Sequence, residues 1–166
     1  MGKNITLEIQ NKGMYRINNK VKLGPLLKVL KLENNVLCAM IDGDLVDLNY
    51  IISDDAKIKL ITLNDRTGQK IYTSGLKLIL SYAVKELFGY DSVIKTEHSI
   101  DKGIFCELFI NRAITKETVE ALKKKMRAII DEEIPIEKIT ASTKSLVKYF
   151  DSIHEYEKRD MYKSYI

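Results

Sequence analysis

Histidine and cysteine are scarce in this chain, at two of each in 166 residues. His98 and His154 stand far apart, and no Asp or Cys spacing around either one prescribes a metal site, so each reads as a solvent-facing or strand-end ring. Cys38 and Cys106 both lie in apolar, strand-like runs and read as buried free thiols rather than a disulfide or ligand pair. Glycines number eight, and none falls in the G-x-x-x-x-G-K-[ST] spacing that cradles phosphates. No apolar run approaches the roughly 18 residues that span a bilayer, and the N-terminus shows no apolar leader core, so a cytosolic, non-membrane protein is expected. No complete catalytic set can be assembled anywhere. What is present is a 45% hydrophobic, 30% charged composition, which argues for one or two small folded domains and against disorder. The net charge of +4 permits contact with nucleic acid or acidic ligands without requiring it.

The chain is organised around residues 74–89, SGLKLILSYAVKELFG. Leu76, Ile79, Leu80, Ala83, Val84, Leu87 and Phe88 recur at the spacing of one helix face. Ser74 suits an N-cap and Gly89 a left-handed helix end. Before this helix, alternation at Ile5, Leu7 and Ile9, a turn at Asn11-Lys12-Gly13, and Tyr15 and Ile17 predict a hairpin. Pro25 suits the first turn of a short helix carrying Leu26, Leu27, Val29 and Leu30. Val36 to Ile41 is apolar throughout and predicts an inner strand. Asp42-Gly43 is a type I′ hairpin signal, Leu45 to Leu48 return from it, and Ile58, Leu60 and Thr62 mark a last strand. Residues 64–73 are polar, contain a glycine, and read as a short linker.

Hairpin, helix, inner strand, return and final strand make a β-grasp order in residues 1–63. The runs Ala39-Met40-Ile41-Asp42-Gly43-Asp44-Leu45-Val46-Asp47-Leu48 and Asp54 to Thr62 resemble a TGS domain, with Asp42 where that family usually has Asn. TGS domains occur in threonyl-tRNA synthetases, certain GTPases and stringent-response enzymes, and the resemblance implies a ligand- or RNA-binding module without catalysis.

After the central helix, Val93 to Glu97 reads as a strand and Asp101-Lys102-Gly103 as a turn. Alternation from Ile104 to Ile110 reads as a second strand. Thr115 can cap a helix over about 116–132 with Val119, Leu122, Met126, Ile129 and Ile130 inward. Ile134-Pro135-Ile136 suggests an edge strand, and Ser142 can cap a helix burying Leu146, Val147 and Phe150. The whole chain is therefore expected to be α+β. Residues 74–166, through Leu80 to Phe88, Ile100 to Leu108, the stretch 115–126 and Tyr149-Phe150, resemble the start of the second, editing-type domain of threonyl-tRNA synthetases, lacking its C-terminal part. That family carries His-x-x-x-His on its helix, and the matching positions here are Ser74 and Leu78. A hydroxyl and an alkyl group replace the imidazoles, so the resemblance implies a scaffold without hydrolysis.

The run from Glu97 to Glu107 is similar to the same domain pair found ahead of bacterial uridine/nucleoside kinase-like domains. That resemblance implies a non-catalytic N-terminal region of an ATP-dependent kinase, with ATP and Mg belonging only to a domain beyond this chain. The alternative is the N-terminal region of a threonyl-tRNA synthetase-like protein with degenerate editing activity. A structural module that self-associates is a third reading. Candidate binding residues are Ser74, Leu78, His98 and Asp101, the last beside the turn glycine, and Lys123, Lys124 and Arg127. These three basic residues lie in a stretch, 116–127, with five basic and two acidic side chains, a surface able to touch the phosphates of a tRNA-like RNA or a nucleotide. The tail interleaves Tyr156, Tyr162 and Tyr165 with Lys158, Arg159 and Lys163. It suits stacking on single-stranded RNA or packing on further residues.

Overall fold

The computed structural model describes residues 4–166 except 102, 135 and 138, arranged as two compact units, Met1–Gly75 and Leu76–Ile166. In the first unit, β1 (Ile5–Ile9), β2 (Gly13–Ile17), β4 (Val36–Ile41), β5 (Asp44–Val46) and β7 (Ala56–Thr62) form one sheet in the order β2-β1-β7-β4-β5. The central pair, β1 and β7, is parallel, with Leu7 opposite Ala56 and Ile9 opposite Ile58. Antiparallel hairpins flank it on both sides. A two-residue ribbon of β3 (Val21–Lys22) and β6 (Ile51–Ile52) lies outside this sheet and has no periodicity long enough to read from sequence.

One face of the sheet is covered by α1 (Leu23–Val29). Leu23, Leu26 and Leu27 bury against Ile5, Leu7, Ile9 and Ile58, read from alternation, and against Ala39 and Ile41 of the apolar inner strand. Pro25 is the third residue of this helix, where its missing N–H leaves no bond unmade. The Asp42-Gly43 reversal has φ of 49° and 100°, as a type I′ turn demands. The Asp42 carboxylate accepts the Lys57 N–H at 3.0 Å, tying the hairpin to β7.

The central helix differs from expectation. Helix α2 runs Arg66–Phe88, so it starts well before Ser74, and most of the expected linker at 64–73 is helical. The start is set at Asp65, whose carbonyl accepts the Gln69 N–H at 2.9 Å. Its carboxylate turns back to accept the Thr62 N–H at 2.9 Å and hydroxyl at 3.1 Å. Gly68, which argued for a loop, is instead the residue that lets the helix approach β7. A Cβ there would meet the Thr62 carbonyl oxygen at 1.9 Å. This approach closes the second face of the sheet over Ile61, 2% exposed, which pairs with buried Cys38. Gly89 ends α2 at φ 86°, its N–H on the Lys85 carbonyl.

In the second unit, Ala83 and Val84 of α2 are fully buried against Leu122 and Ile129 of α3 (Lys116–Asp131). Half-buried Ile94 and Leu108 add one face of a two-stranded sheet, β8 (Val93–Ile100) with β9 (Gly103–Phe109). Val119 and Ile130, expected inward, are 43% and 41% exposed, because the stripe that meets α2 is only as wide as Leu122, Met126 and Ile129. Ile134 and Ile136 form no strand, and Pro135 lies outside the described residues. The tail folds as α5 (Tyr156–Lys163) against α4 (Thr143–Ser152). Tyr162 stacks on Phe150 at 5.5 Å, and Arg159 reaches Asp151 at 2.9 Å. Tyr162 and Arg159 of the tail therefore pack within the chain, while Tyr165 stays exposed. No helix among the described residues is long and apolar enough to cross a membrane.

Candidate functional site

Helix α3 presents the basic residues singled out in the sequence. Thr115 caps it, its hydroxyl accepting the Thr118 N–H at 3.4 Å while the Thr118 hydroxyl accepts the Thr115 N–H at 3.1 Å. This reciprocal cap satisfies two of the unpaired donors at the helix start. Glu117 sits in the first turn, where a negative charge favours the helix dipole. Hydrogen bonds from the Thr115 side chain and from its own backbone hold its carboxyl below the usual range. With Leu122 and Ile129 buried, Lys116, Lys123, Lys124 and Arg127 are turned to solvent. Lys123 reaches Glu120 at 2.7 Å and Lys125 reaches Glu86 of α2 at 3.3 Å. Both pairs are open to water and fix the side chains only loosely. Lys124 and Arg127 have no ion-pair partner among the described residues. Phosphate groups lying along this face would find their cations available.

Ser74 and Leu78 lie one helical turn apart on α2 and both are exposed. Leu78 lines a cavity of about 520 Å³ with Ile79, Tyr82, Ile129, Ile130 and Ile136. Tyr82 and Glu133 are the lining residues with polar side chains. The cavity can shelter an apolar group, and neither Ser74 nor Leu78 brings an imidazole for proton transfer or metal binding. Among the described residues no three His, Cys, Asp or Glu converge as metal ligands.

His98 and Asp101 lie on the β8–β9 hairpin, away from any enclosed site. His98 is exposed on β8 and stacks on Phe105 of β9 at 5.5 Å. Asp101 occupies the reversal at φ 50°, a conformation Asp tolerates better than most residues. Its neighbour Lys102 lies outside the described residues. His154 donates to or accepts from the Tyr156 hydroxyl at 2.8 Å. The candidate residues thus fall into three separate groups, and only that of Lys123, Lys124 and Arg127 is a charged surface.

The fold also gathers residues that sequence reasoning missed. In the first unit, Lys12 of the β1–β2 turn, Lys31 after α1 and Lys59 of β7 line one cavity of mixed polar and apolar character. No spacing rule joins positions so far apart, so no sequence signal could have found them.

Comparison with known proteins bears on the whole chain. No family model matches it. A threonine–tRNA ligase of Clostridium kluyveri is 30% identical over 162 residues, which is 98% of this chain and 24% of the ligase. The threonine–tRNA ligase of Burkholderia ambifaria is 32% identical over 133 residues, 80% of this chain and 21% of the ligase. That of Desulforamulus reducens is 29% identical over 129 residues, 76% of this chain and 20% of the ligase. A solved structure described as ATBAG1 in complex with HSP70 overlaps 96% of this chain and 88% of its own at 14% identity, with a TM-score of 0.34, too loose to assign a fold. The chain spans about a quarter of the length of the curated relatives it matches. Over nearly all of its residues, then, this chain is similar to one stretch of the threonine–tRNA ligases.

Proposed function

We propose that this chain is a tRNA-contacting, non-hydrolytic region of threonine–tRNA ligase type, corresponding to the N-terminal part of such a ligase. In this reading the first unit is a β-grasp, TGS-like module and the second is an editing-domain-like scaffold. The observation that carries the reading is 30% identity sustained over 98% of the chain. The parallel β1–β7 pair between two hairpins, covered by α1, supports the β-grasp assignment. Ser74 and Leu78 at the positions of the family's imidazoles support the absence of hydrolysis, because neither side chain is a base at neutral pH. The nucleoside-kinase expectation has no counterpart in the relatives named above, which are all ligases, and ATP and Mg enter no part of this reading.

The contact is assigned to the solvent face of α3. Lys124 and Arg127 act as backbone-neutralising cations, which position an RNA without reading its sequence. Fluorescence anisotropy of a labelled tRNA transcript tests this between about 50 and 200 mM salt. Binding should weaken steeply with salt, and the double reversal K124E/R127E should lower affinity by about tenfold or more and flatten the salt slope. Equal affinity for the wild type and the double variant would refute the α3 assignment. Release of an amino acid from mischarged tRNA by the wild-type chain would refute the non-hydrolytic half.

A further inference from the structure

The geometry points to a second binding site, in the first unit, for a nucleotide carrying two or more phosphates. A cavity of about 630 Å³ opens beside the main sheet, within the roughly 300–1,000 Å³ typical of small-molecule sites. Leu32, Val36 and Leu60, all packed on the unit's core, contribute its apolar surface. Lys12, Lys31 and Lys59 line it from three different parts of the unit, bringing three positively charged residues to one cavity. Gln10, Asn11, Asn34 and Thr62 complete the lining with uncharged polar residues.

Charge decides the class of ligand. Asp65 is the one carboxylate lining this cavity among the described residues. Its Oδ2 accepts both the Thr62 N–H and hydroxyl, and its Oδ1 lies 3.9 Å from the Lys59 ammonium. Hydrogen bonding from the Thr62 backbone, more than any other influence, holds the Asp65 carboxyl below its ordinary value, so it stays ionised at neutral pH. The three lysines outnumber it, and the excess positive charge suits a polyphosphate better than a single carboxylate. An apolar surface beside amide donors and acceptors suits the flat face and polar edge of a nucleobase. An uncharged nucleoside leaves the ammonium groups unused, and inorganic pyrophosphate leaves the apolar surface unused.

Lys31 carries a further mark. It follows α1 in the left-handed conformation, at φ 56°. The Leu32 N–H reaches the Leu27 carbonyl at 2.8 Å, and the Lys31 N–H reaches the Lys28 carbonyl at 3.1 Å. This is the paired closure that normally places glycine at the left-handed position. Lysine there is strained by its Cβ, and the residue lines the cavity. Strain held in this way is consistent with a ligand-binding role for the residue.

The test is calorimetric titration of the full chain with ADP, UDP, adenosine and pyrophosphate at low salt. ADP or UDP should bind with Kd below about 1 mM, and adenosine and pyrophosphate should each bind about tenfold or more weakly. The variant K31G should melt at a higher temperature than the wild type, since glycine relieves the left-handed strain. It should nevertheless bind ADP or UDP about fivefold or more weakly, a loss that unfolding cannot explain. K12A should weaken binding in the same direction. No detectable nucleotide binding, or affinity unchanged in a K12A/K31G double variant, would overturn the site. Pyrophosphate binding as tightly as ADP would overturn the nucleobase half of it. The same K12A/K31G variant should keep wild-type affinity for the tRNA transcript. This result separates failure here from failure of the α3 assignment, and a parallel loss of tRNA binding would count against a site reserved for nucleotides.

Discussion

Replacing Gly68 with alanine sets two opposed effects against each other. An alanine in place of a helical glycine favours folding by up to about 1 kcal/mol. At Gly68 the new methyl would lie 1.9 Å from the Thr62 carbonyl oxygen and 2.7 Å from its carbon. Carbon and oxygen that are not bonded keep at least about 3.3 Å apart, so the methyl needs roughly 1.4 Å that is not there. The obstructing atoms are backbone. That carbonyl also accepts the Asp65 N–H at 3.0 Å, so it cannot swing aside without opening the start of α2. Overpacking of this kind costs about 1–3 kcal/mol. If the first turns of α2 lift instead, Ile61 loses cover worth about 1.5–3 kcal/mol. Either route outweighs the propensity gain, and Gly68→Ala should destabilise the first unit by about 2 kcal/mol net. Gly75 is the control. A Cβ there meets nothing within 4 Å, so Gly75→Ala should stabilise by up to about 1 kcal/mol. Native-state hydrogen exchange at the amides of β4 and β7 reads the first unit on its own, which a global melt of a two-unit chain does not. Equal protection in the two variants, or a gain at both sites, would refute the seating of α2 on Thr62.

Acid should act on the same corner of the structure. Asp65 has a folded-state pKa below its ordinary 3.8, chiefly through the Thr62 backbone hydrogen bond. Its stabilising contribution is therefore complete above that ordinary value and disappears as pH falls through the lowered one. Exchange protection of β7 should drop over that acidic window in the wild type and change less in Asp65→Asn. An unchanged acid profile in the variant would sink the assignment. The two thiols should also differ in reactivity. Burial first, and the Asp65 charge second, push the Cys38 thiol above its ordinary 9.0, whereas Cys106 is only half-buried. A maleimide at mildly alkaline pH should modify Cys106 first, with Cys38 following only on unfolding. Equal rates in the native protein would contradict the cover over Ile61 and Cys38.

The sequence by itself determined the elements whose cause is local. Alternation at Ile5, Leu7 and Ile9, the Asp42-Gly43 reversal, the Thr115 cap and the glycine end of α2 at Gly89 each depend on a few neighbouring residues. The same holds for the basic run on α3, since residues three and four apart on a helix share a face wherever that helix packs. Its buried stripe was read too wide, because the width is decided by the partner helix and not by α3 alone.

What tertiary structure decided was every feature that needs two distant segments at once. Arg66 to Thr73 looks like a loop by composition, yet it is helical because β7 offers a surface close enough to require Gly68. The tail's composition suits RNA stacking or packing on further residues, and Phe150 and Asp151 are what Tyr162 and Arg159 pack on. The three lysines of the first unit belong to a turn, a helix end and a strand, and only the fold brings them to one cavity. Local chemistry sets what each short segment can become, while burial and convergence depend on atoms supplied from elsewhere in the chain. That is why local turns, caps and the basic face of α3 could be read from the letters, and the start of α2 and the first unit's cavity could not.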